Sequence, residues 1–257
     1  MNLFSHSHGT SGTPLIILHG LLGSSDNWHT VGKMLGEHFR VFALDARNHS
    51  RSPHSDVMSY ADMANDVREF MQQMNLQSTH IIGHSMGGKT AMLFALTHPE
   101  LVGKLVVVDI APRAYDRKHD YIFDAVTALD VKQFSSRNAI NEALSVNIPS
   151  ETTRQFVMKN LARDDAGGFR WKMNLDAILR HYDDINGALD ASQHFDKPTL
   201  FLKSNKAGYV TQDDESAIKR MFPKAHIVGL DVGHWIHAEA PEEFAKIVLD
   251  FLLKAEH

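Results

Sequence analysis

The chain of 257 residues contains no cysteine. Disulfides, thiolate catalysis and cysteine-ligated metal sites are therefore excluded, although this absence does not identify a compartment. A large excess of one charge is also missing, since the formal net charge is only -5. This balance offers no broad electrostatic surface for nucleic acid or for an anionic membrane, and it favours a small-molecule partner.

Long apolar runs are missing as well. No stretch approaches the roughly 18 apolar residues that a membrane-spanning helix needs. The opening sequence MNLFSHSHGTSGTP lacks the basic and apolar regions of a secretory signal, so we expect a cytoplasmic protein. With 43% hydrophobic and 22% charged residues, the chain can bury one α/β core. We expect a monomer or a weak homodimer.

Six short apolar runs predict the strands of a mainly parallel sheet that is flanked by helices. Their continuous apolar character indicates burial on both faces. Residues 2–5 are a further candidate strand ahead of them. The six runs are LIILH (15–19), RVFALD (40–45), HIIG (80–83), LVVVD (105–109), TLFLK (199–203) and HIVGL (226–230).

The strands are evenly spaced up to Asp109, and no comparable run follows until TLFLK. The apolar residues in between recur at helical spacing, with a break at Gly167 and Gly168. We therefore predict an α/β core formed by residues 1–111 and 191–257. A cap of about four helices, residues 112–190, is inserted after the strand that ends at Asp109.

The segment IIGHSMGGKT (residues 81–90) matches two incompatible motifs. Its G-x-x-x-x-G-K-[ST] pattern is that of a phosphate-binding loop, which would need a magnesium-associated acid such as Asp45 or Asp109. Its G-x-S-x-G pattern, centred on Ser85, is that of the nucleophile turn of a serine hydrolase. Both motifs join a strand to a helix, so the rest of the chain must discriminate between them.

A serine hydrolase makes three further demands, and the sequence meets each one. The motif HG directly follows the first strand, so the N–H of Leu21 can lie beside that of Met86 as a pair of oxyanion donors. Asp109 ends a strand, and His234 lies between the last strand and the last helix. We therefore predict Ser85 as nucleophile, His234 as base and Asp109 as the acid that orients it.

The serine-hydrolase interpretation leaves Lys89 and Thr90 as ordinary residues of a first helical turn. Two other carboxylates compete with Asp109 for the role of triad acid. Asp213 lies just beyond TLFLK, while Asp231 lies three residues before the histidine and is too close in sequence to reach across it. His84 is expected to point away from the reacting atoms and to pack.

Several aromatic and basic residues are candidates for the substrate pocket. Trp235, Tyr209 and His119 are expected to line the space for an acyl group. Arg117 and Lys118, together with His119, could bind an anionic head such as the phosphates of coenzyme A, although a charge run is more often a solvated face.

No metal and no cofactor is predicted. The histidine pairs His6/His8 and His49/His54 resemble metal ligands only superficially, because they lack a convincing acidic or third-histidine partner.

Taken together, these motifs resemble the α/β-hydrolase superfamily and, more narrowly, the YbfF-type bacterial esterases. The resemblance rests on HGLLGSSDNW, LDARNHSRSP, GHSMGGK, VVDIAP, RKHDYIF and GHWIHAE, which follow one another over nearly the whole chain. It implies an α/β-hydrolase fold and a carboxylesterase acting on fatty-acyl esters or acyl thioesters, without metal or cofactor.

Two positions depart from the superfamily pattern. Most members place the acid after the strand read here as TLFLK, but this chain has KSNKAGYV there, with Ala207 near the expected position. Asp109 looks like the substitute used by the subfamily. Ser50 stands where the pattern D-x-R-x-x-G-x-S usually has glycine, and it would be strained if its φ were positive.

Two alternative functions remain open. Hydrolysis of a carbon–carbon bond in a diketone-like substrate uses the same triad under a cap of different polarity. A catalytically silent α/β-hydrolase could bind a ligand without turnover, although such proteins usually lose a member of the triad. Haloalkane and epoxide hydrolysis are disfavoured because those relatives carry aspartate where this chain has Ser85.

Overall fold

The computed structural model describes residues 1–165, 167–190 and 192–254. Within these ranges the strands are β1 (Ser5–His8), β2 (Pro14–Leu18), β3 (Arg40–Leu44), β4 (Thr79–His84), β5 (Val102–Val108), β6 (Leu161–Arg163), β7 (Phe169–Trp171), β8 (Thr199–Ser204) and β9 (Ala225–Leu230). The α-helices are α1 (His29–Leu35), α2 (Tyr60–Gln73), α3 (Met86–Thr97), α4 (Asp120–Thr127), α5 (Arg137–Ser145), α6 (Glu151–Met158), α7 (Leu175–Arg180), α8 (Tyr182–Asn186), α9 (Glu215–Met221), α10 (Ile236–Glu239) and α11 (Pro241–Leu252).

The central sheet has seven strands in the order β1-β3-β2-β4-β5-β8-β9. All neighbours are parallel except β1, which runs antiparallel to β3. One face of the sheet packs against α2, α3 and α9, and the other packs against α1 and α11. The predicted α/β-hydrolase architecture is confirmed, and the carboxyl ends of β2, β4, β5 and β8 meet at one edge of the sheet.

Both edges of the sheet differ from the prediction. The first strand is Ser5–His8 rather than residues 2–5, because Leu3 is buried in the core while the polar SHSH run pairs with β3. The prediction that every strand is buried on both faces is wrong for β9, where His226, Val228 and Gly229 are exposed. An edge strand has a neighbour on one side only, so its outer positions remain in contact with solvent.

The segment inserted between β5 and β8 contains more than the four predicted helices. Its described part holds α4 to α8 and a two-stranded antiparallel hairpin of β6 and β7. Gly167 and Gly168, with φ of 97° and 74°, lie in the hairpin connection rather than between helices. A Cβ on Gly168 would lie 2.2 Å from the carbonyl oxygen of Lys132, so the chain approaches too closely there for any side chain.

We call residues 112–190 the cap; its boundaries remain a prediction. The cap has an apolar cluster of its own, which includes Phe123, Val157 and Phe169. Leu22 and Met86 of the core belong to the same cluster. The cap therefore packs directly over the loops that follow β2 and β4.

Ser50 has φ of 49°, so the strain expected for a serine in place of glycine is present. Its hydroxyl is buried without a hydrogen-bond partner, so no side-chain bond offsets this strain. Within the described ranges no helix is both long and apolar enough to cross a membrane. The cytoplasmic location and the oligomeric state remain predictions.

Candidate active site

Ser85 occupies a sharp turn between β4 and α3. Its φ of 53° and ψ of -119° lie outside the usual regions, a strain that costs about 1–3 kcal/mol. The N–H of Ser85 donates to the carbonyl of Val108 at 3.0 Å, which fixes the turn against β5. A Cβ on Gly83 would lie 2.2 Å from the carbonyl oxygen of Gly87. A side chain at position 83 would therefore clash with the backbone of Gly87, so the turn requires glycine there.

Asp109 and His234 are joined by a short hydrogen bond. The distance between Asp109 Oδ2 and His234 Nδ1 is 2.7 Å, and the Asp109 side chain is fully buried at the end of β5. Because a carboxylate only accepts, Nδ1 carries the imidazole proton and Nε2 is left as the basic nitrogen. The rivals lie elsewhere: Asp213 is exposed, and Asp231 accepts a hydrogen bond from Asn205 Nδ2 at 2.6 Å.

Two residues that sequence reasoning missed support this pair. Ser204, at the end of β8, donates its backbone N–H to Asp109 Oδ1 at 2.8 Å, and its hydroxyl accepts the N–H of Ala207. His84 Nε2 lies 2.9 Å from the backbone oxygen of His234, to which it can only donate. His84 therefore packs against the loop that carries His234, in keeping with the packing role expected for it. The histidine beside Ser85 was the one available signal, because the Ser204 contact to Asp109 uses a backbone N–H.

The backbone segments that carry the N–H groups of Leu21 and Met86 lie close to the serine. β2 and β4 are neighbours in the sheet, so the loop after β2 and the start of α3 meet at the same edge. A Cβ on Gly20 would lie 3.2 Å from Cβ of Ser85, which shows how closely the two segments approach. Among the contacts of the described residues, neither N–H has a hydrogen-bond partner. Their role as oxyanion donors remains a prediction.

A cavity of about 210 Å³ opens at Ser85 and His234. The three residues predicted for the acyl pocket, Trp235, Tyr209 and His119, all line it. The Tyr209 ring stacks on the imidazole of His234, with 4.0 Å between the ring centres. The cavity is smaller than the 300–1,000 Å³ typical of drug-sized ligand sites, so it has room for a small group only.

Arg117 and Lys118, the two basic residues at the start of the cap, lie in different surroundings. Arg117 is paired with Asp120 at 3.0 Å and with Asp183 at 2.6 Å on the surface. Lys118 instead lines the cavity, with Nζ 5.1 Å from the centre of the Tyr209 ring. Only part of the predicted anion-binding group therefore faces the space beside the serine.

The position of the Lys89 side chain argues against the phosphate-binding-loop interpretation of residues 81–90. Its side chain is 1% exposed, and Nζ donates to the carbonyl of Gly187 at 2.5 Å, just beyond α8 of the cap. Nζ also lies 4.9 Å from the centre of the Tyr115 ring. The expectation that Lys89 is an ordinary first-turn residue is wrong, because its ammonium group anchors the cap to α3.

Burial determines the protonation of the pair. It lowers the pKa of His234 to about 3, and the nearby charges of His119 and Lys118 act in the same direction. Burial raises the pKa of Asp109 to about 7, opposed by the hydrogen bond from Ser204. In the active form the pair holds one proton, on Nδ1 of His234. A second proton would bind either to Nε2 of His234, which could then no longer act as a base, or to the Asp109 carboxylate, which could then no longer support the histidine.

We expect kcat/KM to fall as the pH drops, with a midpoint near pH 7, because burial raises the pKa of Asp109 to about 7. Above this midpoint the pair holds one proton and His234 is a base, so activity is retained. The measurement is kcat/KM for a neutral ester across about pH 5 to 9. A profile that stays flat down to pH 5 would contradict this protonation scheme.

Within the described part of the chain, no group of three or more histidine, cysteine, aspartate or glutamate residues is arranged to hold a metal ion. His6 and His8 pack ring against ring, with 5.2 Å between their centres. His49 lies in the core beside the loop after β2, where its Nε2 accepts the N–H of Leu22.

The fold and the site define a hydrolase of the α/β class, and comparison with known proteins agrees. A family model described as alpha/beta hydrolase fold matches residues 13–241, and the chain belongs to this family. Within the family it groups with the YbfF-type esterases. Esterase YbfF of Escherichia coli is 30% identical over 243 residues, which cover 93% of both chains.

Two further relatives extend the comparison. A protein of Danio rerio named sn-1-specific diacylglycerol lipase ABHD11 is 38% identical over 249 residues, covering 93% of this chain and 78% of its own. A solved structure described as a marine microorganism esterase superposes with a TM-score of 0.95 at 43% identity, covering 97% of this chain and 98% of its own.

Proposed function

We propose that the protein is a serine carboxylesterase that hydrolyses acyl esters through an acyl-serine intermediate. The observation that carries this proposal is the 2.7 Å hydrogen bond between Asp109 and His234, at the same cavity that Ser85 lines. The related proteins named esterase and diacylglycerol lipase are consistent with an ester substrate. They support this function over carbon–carbon hydrolysis and over silent ligand binding.

The proposed reaction has two halves. Ser85 Oγ attacks the acyl carbon while His234 Nε2 takes the hydroxyl proton, and the N–H groups of Leu21 and Met86 bind the resulting oxyanion. Collapse of the intermediate expels the alcohol, which receives the proton from His234. Water then attacks the acyl-serine and gives one proton to the same nitrogen. Collapse of this second intermediate breaks the bond between the acyl carbon and Ser85 Oγ, which takes the proton back from His234 as the acid is released. Asp109 stabilises the imidazolium in both halves.

Acyl thioesters are a second substrate class, and the position of Lys118 favours it. Its ammonium group lines the cavity, and no ion pair within the described residues neutralises it. An anionic leaving group such as coenzyme A would place phosphates near this charge. Arg117, held by Asp120 and Asp183, is a matched basic neighbour without that access.

A substrate panel tests this function. We expect hydrolysis of nitrophenyl esters, fastest for short acyl groups because the cavity is about 210 Å³. Lys118→Gln should raise KM for an acyl-CoA by roughly threefold to tenfold and leave KM for the neutral ester unchanged, while Arg117→Gln changes neither. Saturable ester binding without turnover would instead indicate a silent receptor, and turnover of a diketone alone would indicate a carbon–carbon hydrolase.

A further inference from the structure

Leu22, which follows the proposed oxyanion donor Leu21, occupies a strained turn. The N–H of Gly23 donates to the carbonyl of Gly20 at 2.9 Å, which closes a four-residue turn with Leu22 in its third position. Leu22 has φ of 59°, in the left-handed region that favours glycine. A bulky residue remains in such a conformation only where its surroundings hold it.

Hydrogen bonds from two directions hold Leu22. Its N–H donates to Nε2 of His49 at 3.2 Å, and its carbonyl accepts from Nδ2 of Asn160 at 2.7 Å. Leu22 and Asn160 are 3% and 2% exposed, and His49 is fully buried, so water does not compete for these bonds. The two peptide groups that follow Leu21 are therefore both fixed.

His49 is built to accept a hydrogen bond. Its Nδ1 lies 2.9 Å from the carbonyl of Arg47, which can only accept, so Nδ1 carries the proton and Nε2 presents a lone pair to Leu22. Burial lowers the pKa of His49 to about 3, which keeps the imidazole neutral. The acceptor is consequently present throughout the neutral pH range.

Asn160 belongs to the cap, between α6 and β6. Its backbone N–H donates to the carbonyl of Val157 at 2.9 Å, and its carbonyl accepts the N–H of Lys172 at 2.8 Å. These bonds fix the backbone of Asn160 within the cap. The amide can reach Leu22 only when the cap lies in place over the loop that follows β2.

We propose that Asn160 is a positioning residue through which the seated cap holds the oxyanion hole in its working geometry, with His49 as its counterpart in the core. This inference rests on the proposed function. Asn160 is not among the residues that line the cavity at Ser85 and His234. It acts through Leu22, so its loss should weaken stabilisation of the tetrahedral intermediate more than binding of the intact ester.

The test combines kinetics with a tetrahedral inhibitor. A trifluoromethyl ketone accepts the Ser85 oxygen at its carbonyl carbon, places a negative oxygen in the oxyanion hole and leaves the hydroxyl proton on His234. For Asn160→Leu we expect kcat for a short neutral ester and affinity for the ketone to fall together, by about tenfold, with KM changed less than about twofold.

Tyr60→Phe is the matched control. Tyr60 Oη donates to the carbonyl of Ile185 at 2.6 Å, which is another buried bond between core and cap, but one that does not involve the loop after β2. We expect its kcat and ketone affinity to stay within about twofold of wild type. Equal losses in Tyr60→Phe and Asn160→Leu would overturn the proposal, because cap seating in general would then be responsible.

An unchanged kcat in Asn160→Leu would also overturn it. If that variant does not fold, Asn160→Asp is measured in the same way, since it keeps the shape but turns a carboxylate oxygen toward the Leu22 carbonyl. Wild-type activity in that variant rejects the proposal. A wild-type protein that hydrolyses no ester would refute the proposed function as well, whereas an active wild type with unaffected Asn160 variants refutes this inference alone.

Discussion

Ser85→Ala is expected to lower kcat for ester hydrolysis by about 10⁵-fold or more, because the variant has no oxygen to form the acyl intermediate. The variant keeps the cavity and the proposed oxyanion donors, so its residual rate reflects direct attack of water on the ester. Stopped assays with a nitrophenyl ester, using enzyme purified in parallel with wild type, measure the change. The melting temperature should stay close to that of wild type, since only a hydroxyl in the cavity is removed.

The strain at Ser85 supplies an internal control. Alanine retains the unfavourable φ of 53°, whereas glycine adopts it freely, so Ser85→Gly should be inactive yet more stable than Ser85→Ala. Substantial turnover in either variant would show that Ser85 is not the nucleophile. Loss of activity with a large fall in melting temperature would point instead to damage of the fold.

Asp109→Asn is expected to lower kcat by about 10⁴-fold. The asparagine amide can donate to Nδ1 of His234, which would move the imidazole proton to Nε2, where the base must be free. The carboxylate that stabilises the imidazolium is lost at the same time. Kinetics at high substrate concentration report this change, because KM should alter little.

Asp213→Asn is the control for that variant. Asp213 is exposed and lies in the turn before α9, so its substitution should leave kcat within about twofold of wild type. A large loss in Asp213→Asn with normal activity in Asp109→Asn would reassign the acid to the loop after β8.

The inner strands and the order of the candidate triad could be predicted from the sequence because both depend on local patterns. A strand buried on both faces needs an unbroken apolar run, and β2 to β5 and β8 have one. The nucleophile turn requires glycine two positions before and after Ser85, a spacing visible in any sequence. The edge strand β1 is less visible, since it reads SHSH and has no apolar run.

The supporting contacts could not be predicted because they join distant parts of the chain through groups with no sequence signature. Ser204 contributes a backbone N–H to Asp109, and any residue except proline has one. Asn160 lies 138 positions from Leu22 in the sequence, and its contact with Leu22 can be recognised only when the position of the cap over the core is known. The hairpin of β6 and β7 was missed because strands of three residues are too short to show a period of two.

The central claim is that Ser85 becomes covalently acylated, and a fluorophosphonate tests it most directly. The reagent forms a bond from phosphorus to a reactive serine oxygen, while fluoride leaves and the hydroxyl proton is lost. Intact-mass measurement followed by peptide mapping should find one adduct per chain, on Ser85, formed in step with loss of esterase activity and absent from Ser85→Ala. Inactivation with the adduct on another residue, or full activity after Ser85 is modified, would contradict the account.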